Sequence, residues 1–108
     1  MAANPNQVGG QFQSTGGVSL SVSGASARVA LSGDGVNARV ANPNSFAVYV
    51  AFGDSSVTAT TASTCILPGT AEVLNRLTTA QPASNYTYIA GITGGSSGTI
   101  QISTGNGF

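Results

Sequence analysis

From Val18 to Ser23 the chain alternates strictly: Val18-Ser19-Leu20-Ser21-Val22-Ser23. A period of two fits an extended strand with one apolar face and one hydroxyl face, and it does not fit a helix. The pattern returns over residues 46–52, with Phe46, Val48, Val50 and Phe52 on one side and Ala47, Tyr49 and Ala51 on the other. Apolar residues on both faces mark a central strand that is covered on both sides, or that turns one side to a partner. Residues 99–103 repeat it again, with Ile100 and Ile102 facing inward. Strands are also expected at 28–31, 37–41, 57–61, 71–74 (or on to Leu77) and 86–92, and Cys65-Ile66-Leu67 runs into Pro68-Gly69.

Turn chemistry separates these segments. Gly24-Ala25-Ser26, Ser32-Gly33-Asp34-Gly35, Asn42-Pro43-Asn44, Gly53-Asp54-Ser55-Ser56, the stretch 78–85 with Gln81-Pro82, and Gly94-Gly95-Ser96-Ser97-Gly98 are the breakers. Only the window 70–77 lets a short helix compete. Short strands with a turn every eight to twelve residues predict an all-β fold, an antiparallel β-sandwich, and jelly-roll topology is expected. Ala27-Arg28-Val29-Ala30 recurs as Ala38-Arg39-Val40-Ala41 on either side of Asp34-Gly35. An Asp-Gly turn between them reads as one hairpin, which would set Arg28 and Arg39 side by side.

The first seventeen residues are polar and Gly-rich, with Val8 and Phe12 as the sizeable apolar groups. Residues 1–17 are therefore expected to form a flexible N-terminal arm that orders on contact with a partner, anchored by Phe12, and residues 18–108 a single sandwich domain. The opening Met1-Ala2-Ala3-Asn4-Pro5-Asn6-Gln7 has no positive and no apolar region of the kind a secretory signal needs. No apolar run approaches the length of a membrane helix.

Composition narrows function more than fold. Charged residues are 6% of the 108, three Arg against three acids, and Lys, His and Trp are absent. Ordinary soluble domains carry roughly 25%. Such a chain lacks the cations for phosphate contacts or an anionic membrane surface, so neither nucleic acid nor membrane is an expected partner. Without His it lacks the usual general base and metal ligand. Asp34 and Asp54 sit beside Gly in loops, where Asp bonds its own backbone. Cys65, the single cysteine, has no neighbouring His or Lys to activate it, and is expected to be a small buried hydrophobe. Gly94 to Gly98 is followed by a strand, whereas a phosphate loop is followed by a helix. No catalytic residue, cofactor or metal site is expected.

What remains is surface. Arg28 and Arg39 present rigid donor forks suited to interfaces, and are expected to meet acids of a neighbouring subunit or, locally, Asp34 or Glu72. Tyr49, Tyr86 and Tyr88, if exposed together, would make a platform for a sugar or a receptor.

The phrases Arg39-Val40-Ala41-Asn42-Pro43, Val48-Tyr49-Val50-Ala51-Phe52-Gly53, Val57-Thr58-Ala59-Thr60, Ile66-Leu67-Pro68-Gly69-Thr70-Ala71-Glu72-Val73, Tyr88-Ile89-Ala90-Gly91-Ile92 and Gly98-Thr99-Ile100-Gln101-Ile102-Ser103 carry a resemblance. The chain from Arg39 onward resembles the small all-β structural proteins of tailed bacteriophages, particularly the jelly-roll capsid decoration (cement) proteins. Thr104-Gly105-Asn106 departs from the Pro-Gly and acid expected at such an end. The resemblance implies a virion protein made in the host cytoplasm. It would sit on the capsid outer surface as a homodimer or homotrimer, bound across neighbouring major capsid proteins, with no active site. Val8, Phe12, Arg28, Arg39 and Tyr49 are the expected partner-binding residues. The rival expectation is a receptor- or glycan-binding β-domain built on the three tyrosines.

Overall fold

The computed structural model describes residues 12–78, 81–82 and 84–107. Eight strands follow one another: β1 (Gln13–Val22), β2 (Ala27–Ala30), β3 (Asn37–Asn42), β4 (Val48–Gly53), β5 (Thr64–Ile66), β6 (Thr70–Asn75), β7 (Tyr88–Thr93) and β8 (Gly98–Asn106). They form two four-stranded antiparallel sheets, in the orders β1-β8-β3-β6 and β2-β7-β4-β5. In the pairs β1·β8, β2·β7, β3·β6 and β4·β5 the strand numbers always sum to nine, as in a long antiparallel ribbon wound upon itself.

The alternation read from the sequence supplies the core. Leu20 and Val22 from β1, Ala38 and Val40 from β3, and Ile100 and Ile102 from β8 face Val48, Val50, Ile66 and Ile89 of the other sheet. Val29, Phe46, Phe52 and Leu74 close the margins. Gly91 holds the layers close, since a Cβ there would meet Val22 Cγ1 at 3.0 Å and Leu20 Cδ2 at 3.2 Å.

Four expectations are corrected. Residues 27–30 and 38–41 are not arms of one hairpin: β2 and β3 lie in different sheets. Gly33 and Gly35 do adopt positive φ (81° and 104°), but the loop uses them to cross between layers. Leu31 N–H donates to Thr87 O and so prolongs β2·β7, while Val36 O accepts from Arg76 N–H beside β3·β6. Residues 57–61 are not a strand either. The loop after β4 reaches back over β7 to the far edge of its sheet, where Ala59 N–H donates to the Ser26 hydroxyl (2.9 Å). Ala59 is buried there, and Ala90, on the outward side of β7, is covered. Cys65 is exposed rather than buried, because in the short β5 it is Ile66 that takes the inward position. Finally, β1 begins at Gln13, so residues 13–17 of the expected arm belong to the sheet and all but Thr15 pair with β8, while residues 1–11 lie outside the described residues.

That early start needs a bulge. The β1·β8 register shifts between Ser14 and Gly16, and the Thr15 hydroxyl bonds Asp34 O and Thr104 O. A Cβ on Gly16 would lie 2.9 Å from Ser32 O, so glycine lets the Ser32–Gly33 backbone seat against the strand.

Candidate interaction surface

The sheet β1-β8-β3-β6 turns its outer face to solvent. Two rungs cross its whole width: Ser19, Gln101, Ala41 and Ala71, then Gly17, Ser103, Arg39 and Val73. Side chains on these rungs are small or uncharged except for the exposed Arg39. At one end the surface dips into a shallow concavity of about 270 Å³, lined by Arg39, Ala41, Asn42, Pro43, Gly69, Thr70 and Ala71. A face like this offers van der Waals area, scattered hydroxyl and amide bonds, and one guanidinium fork for a partner's carboxylate.

Arg28 points the opposite way. It is exposed on the outer side of β2, opposite Ala90, and faces the loop that carries Asp54. The Asp54 carboxylate accepts from the Ser56 hydroxyl (2.6 Å) and the Ser56 N–H (2.9 Å). Those two bonds hold its pKa below the ordinary carboxylate value, and Arg28 adds a smaller pull in the same direction. Arg28 and Arg39 thus serve opposite broad faces of the sandwich and do not act together.

Tyr49 is half-buried in β4 between Ile92 and Cys65. Tyr88 pairs with Gly53, four residues further along β7, a separation of ~14 Å at the rise of a strand. The two rings do not share a platform. Tyr86 lies before β7, its backbone bonded to Arg76. Phe12 is half-buried immediately before β1, and Val8 lies outside the described residues.

Two side chains outside the expected partner-binding set organise the loops. Arg76 is 3% exposed. Its Nε donates to Gly35 O (2.8 Å), Nη2 to Gly33 O (3.0 Å) and Nη1 to Tyr86 O (3.4 Å). Burial lowers its pKa from the usual arginine value, and the attraction of Asp34 opposes that. Asn42, 1% exposed, donates to the carbonyls of Phe46, Ile66 and Leu67 and accepts from Asn44. Periodicity carries no signal for either role. The one available hint was an Arg directly after a strand, with no acid at a neighbouring position.

Among the described residues two large apolar side chains stand out from the surface: Leu67, 58% exposed, and Leu77, 39% exposed. They flank β6, one at either end. Comparison with protein-family models, with curated proteins and with solved structures found no match.

Proposed function

We propose that this chain is a capsid decoration protein of a tailed bacteriophage. In this reading the sandwich is a jelly roll, bound on the outer capsid surface across neighbouring major capsid proteins as a homodimer or homotrimer. The strand order supports the jelly-roll reading, since rolling a ribbon whose paired strands sum to nine yields two interleaved Greek keys.

The observation that carries the functional reading is the four-strand-wide face with Arg39 as the charged group on its crossing rungs. A protein that holds a shell together repeats one modest contact many times and gains strength from multivalency. It is served by broad complementary area rather than a deep pocket. The low charge suits the outer surface better than an interior filled with nucleic acid. The glycan-binding alternative is less well supported, because Tyr49 and Tyr88 stand far apart.

The test is electron microscopy of particles assembled with and without the protein. Added density on the outer surface is the expected result. Ala41→Arg and Ser103→Arg, placed on the crossing rungs, should abolish it while the variants remain folded. Occupancy should change less than tenfold between about 50 and 200 mM salt, where a phosphate-binding protein would lose 10³-fold or more. Unchanged occupancy in both variants would refute the reading.

A further inference from the structure

We infer that the edge of β6, left unpaired among the described residues, is a strand-addition site for an extended segment of a partner protein that carries an Arg or Lys opposite Glu72. This deepens the binding role proposed above and rests on it only for the partner's biological identity.

A sandwich of two open sheets has four edge strands, here β1 and β6 in one sheet and β2 and β5 in the other. Three of them offer shorter open runs, five residues (18–22) being left to β1 beyond its contacts. The Ser32–Asp34 loop seals β1 around Gly16, with the Thr15 hydroxyl on Asp34 O and the Ser32 hydroxyl on Gly17 O. β2 has four residues and β5 three. β6 has six, and its extended backbone runs on through the Leu77–Asn85 bridge.

The hydrogen bonds show which groups are free. Arg76 N–H donates toward β3, at Val36 O, and the bonds Tyr86 N–H to Arg76 O and Thr78 N–H to Ser84 O lie on the same side. Because backbone groups alternate along a strand, those of Ala71, Val73 and Asn75 point to the unpaired side. Leu77 N–H, next in that series, is capped by its neighbour's Asn75 Oδ1 (2.8 Å), which marks where a ladder would end. The two exposed leucines stand at the two limits of this row, Leu67 one turn before Thr70 and Leu77 beyond Asn75. Unpaired backbone groups with apolar anchors at both ends are the features of strand addition.

Charge selects the occupant. Glu72 lies opposite Val40 on the core-facing side of the sheet, yet it is exposed because β5 above it is so short. An inward-pointing charge on an edge strand is a device against self-pairing. The symmetric register that would lay Leu67 on a second copy's Leu77 sets Glu72 against Glu72, and like charges directly opposite are destabilising. Residues 1–12 contain no Arg or Lys, so they do not supply the partner charge. A foreign strand with a cation at that rung turns repulsion into attraction.

The probe is a blocked, fluorescently labelled nonapeptide, Leu-Thr-Val-Thr-Val-Arg-Val-Thr-Leu, with a second peptide bearing Glu in place of Arg. The full chain should bind the Arg peptide about tenfold more tightly than the Glu peptide, the ratio expected when attraction replaces repulsion across one strand pair. Glu72→Lys should reverse that preference. Leu67→Ser with Leu77→Ser should weaken both peptides without altering the preference. Amide exchange should slow at Ala71, Val73 and Asn75. Equal affinity for the two peptides, no reversal in Glu72→Lys, or protection confined to another edge would overturn the inference. So would concentration-dependent self-association that Leu67→Ser and Leu77→Ser abolish, since that assigns the edge to a second copy. None of these measurements involves a capsid, so their failure and the failure of the decoration reading can be told apart.

Discussion

Replacing Arg76 with Ala should destabilise the fold by about 2–4 kcal/mol. The guanidinium makes two short bonds to loop carbonyls, 2.8 and 3.0 Å, and a long one of 3.4 Å. Hydrogen bonds to a charged donor contribute about 1.5–3 kcal/mol each, so the two short ones together supply roughly 3–6 kcal/mol. Against that, the variant no longer bears the desolvation of a buried cation, and water can enter to solvate the abandoned carbonyls. The remainder is still a large share of the 5–15 kcal/mol typical of a domain. With a urea slope of about 1–2 kcal/mol per molar, the midpoint should fall by roughly 1–4 M. Arg76→Lys should lie between the two, because an ammonium lacks the planar fork that spans Gly33 and Gly35. Asp34→Asn should cost at most about 0.5 kcal/mol, since that carboxylate is exposed. Equilibrium unfolding followed by circular dichroism measures all three. A shift below about 0.5 kcal/mol for Arg76→Ala would refute the view that this side chain clamps the loops.

Asp54 should titrate below the ordinary aspartate range in carbon-detected NMR, and Ser56→Ala should move its midpoint up more than Arg28→Gln does, following the order of the causes. Because the folded pKa is depressed, its small stabilising contribution is present above the unfolded value and is lost as pH falls through the folded one. Equal effects of the two substitutions would contradict that order. Cys65 should react fully with a thiol reagent in the native protein without denaturant, since it is exposed on β5. Protection at high protein concentration that disappears on dilution would place it under a second copy.

Much of the sandwich was legible because burial imposes period two. Residues 46–52 and 99–103 anticipate β4 and β8, and 71–74 falls within β6. The failures share a cause. Gly16-Gly17 reads as linker, yet glycine is what lets a loop backbone lie against β1. Val57 to Thr61 has strand-forming residues, but its backbone is spent on turns and on Ser26, and it crosses the sheet instead of extending it. The Asp-Gly turn is legible as the link between residues 27–30 and 38–41, but that these strands pair with β7 and β6 instead of with each other is written in no local signal. Among the candidate residues, Arg28 and Arg39 were legible as exposed cations, but their placement on opposite faces required the topology. The anchors Leu67 and Leu77 looked like ordinary apolar residues, since exposure is not written in residue type.

The pairing of first strand with last has a mechanical consequence. Gln13 lies opposite Asn106, so β1 and β8 start and finish at one corner of the molecule. Tension drawn through the two extremities would separate that ladder one rung after another, the weakest way to load it. The same pull delivered through a broad face or along β6 would have to shear many bonds at once, so a sandwich built on this plan resists most where it is gripped by its flanks and least where it is tugged by its tails.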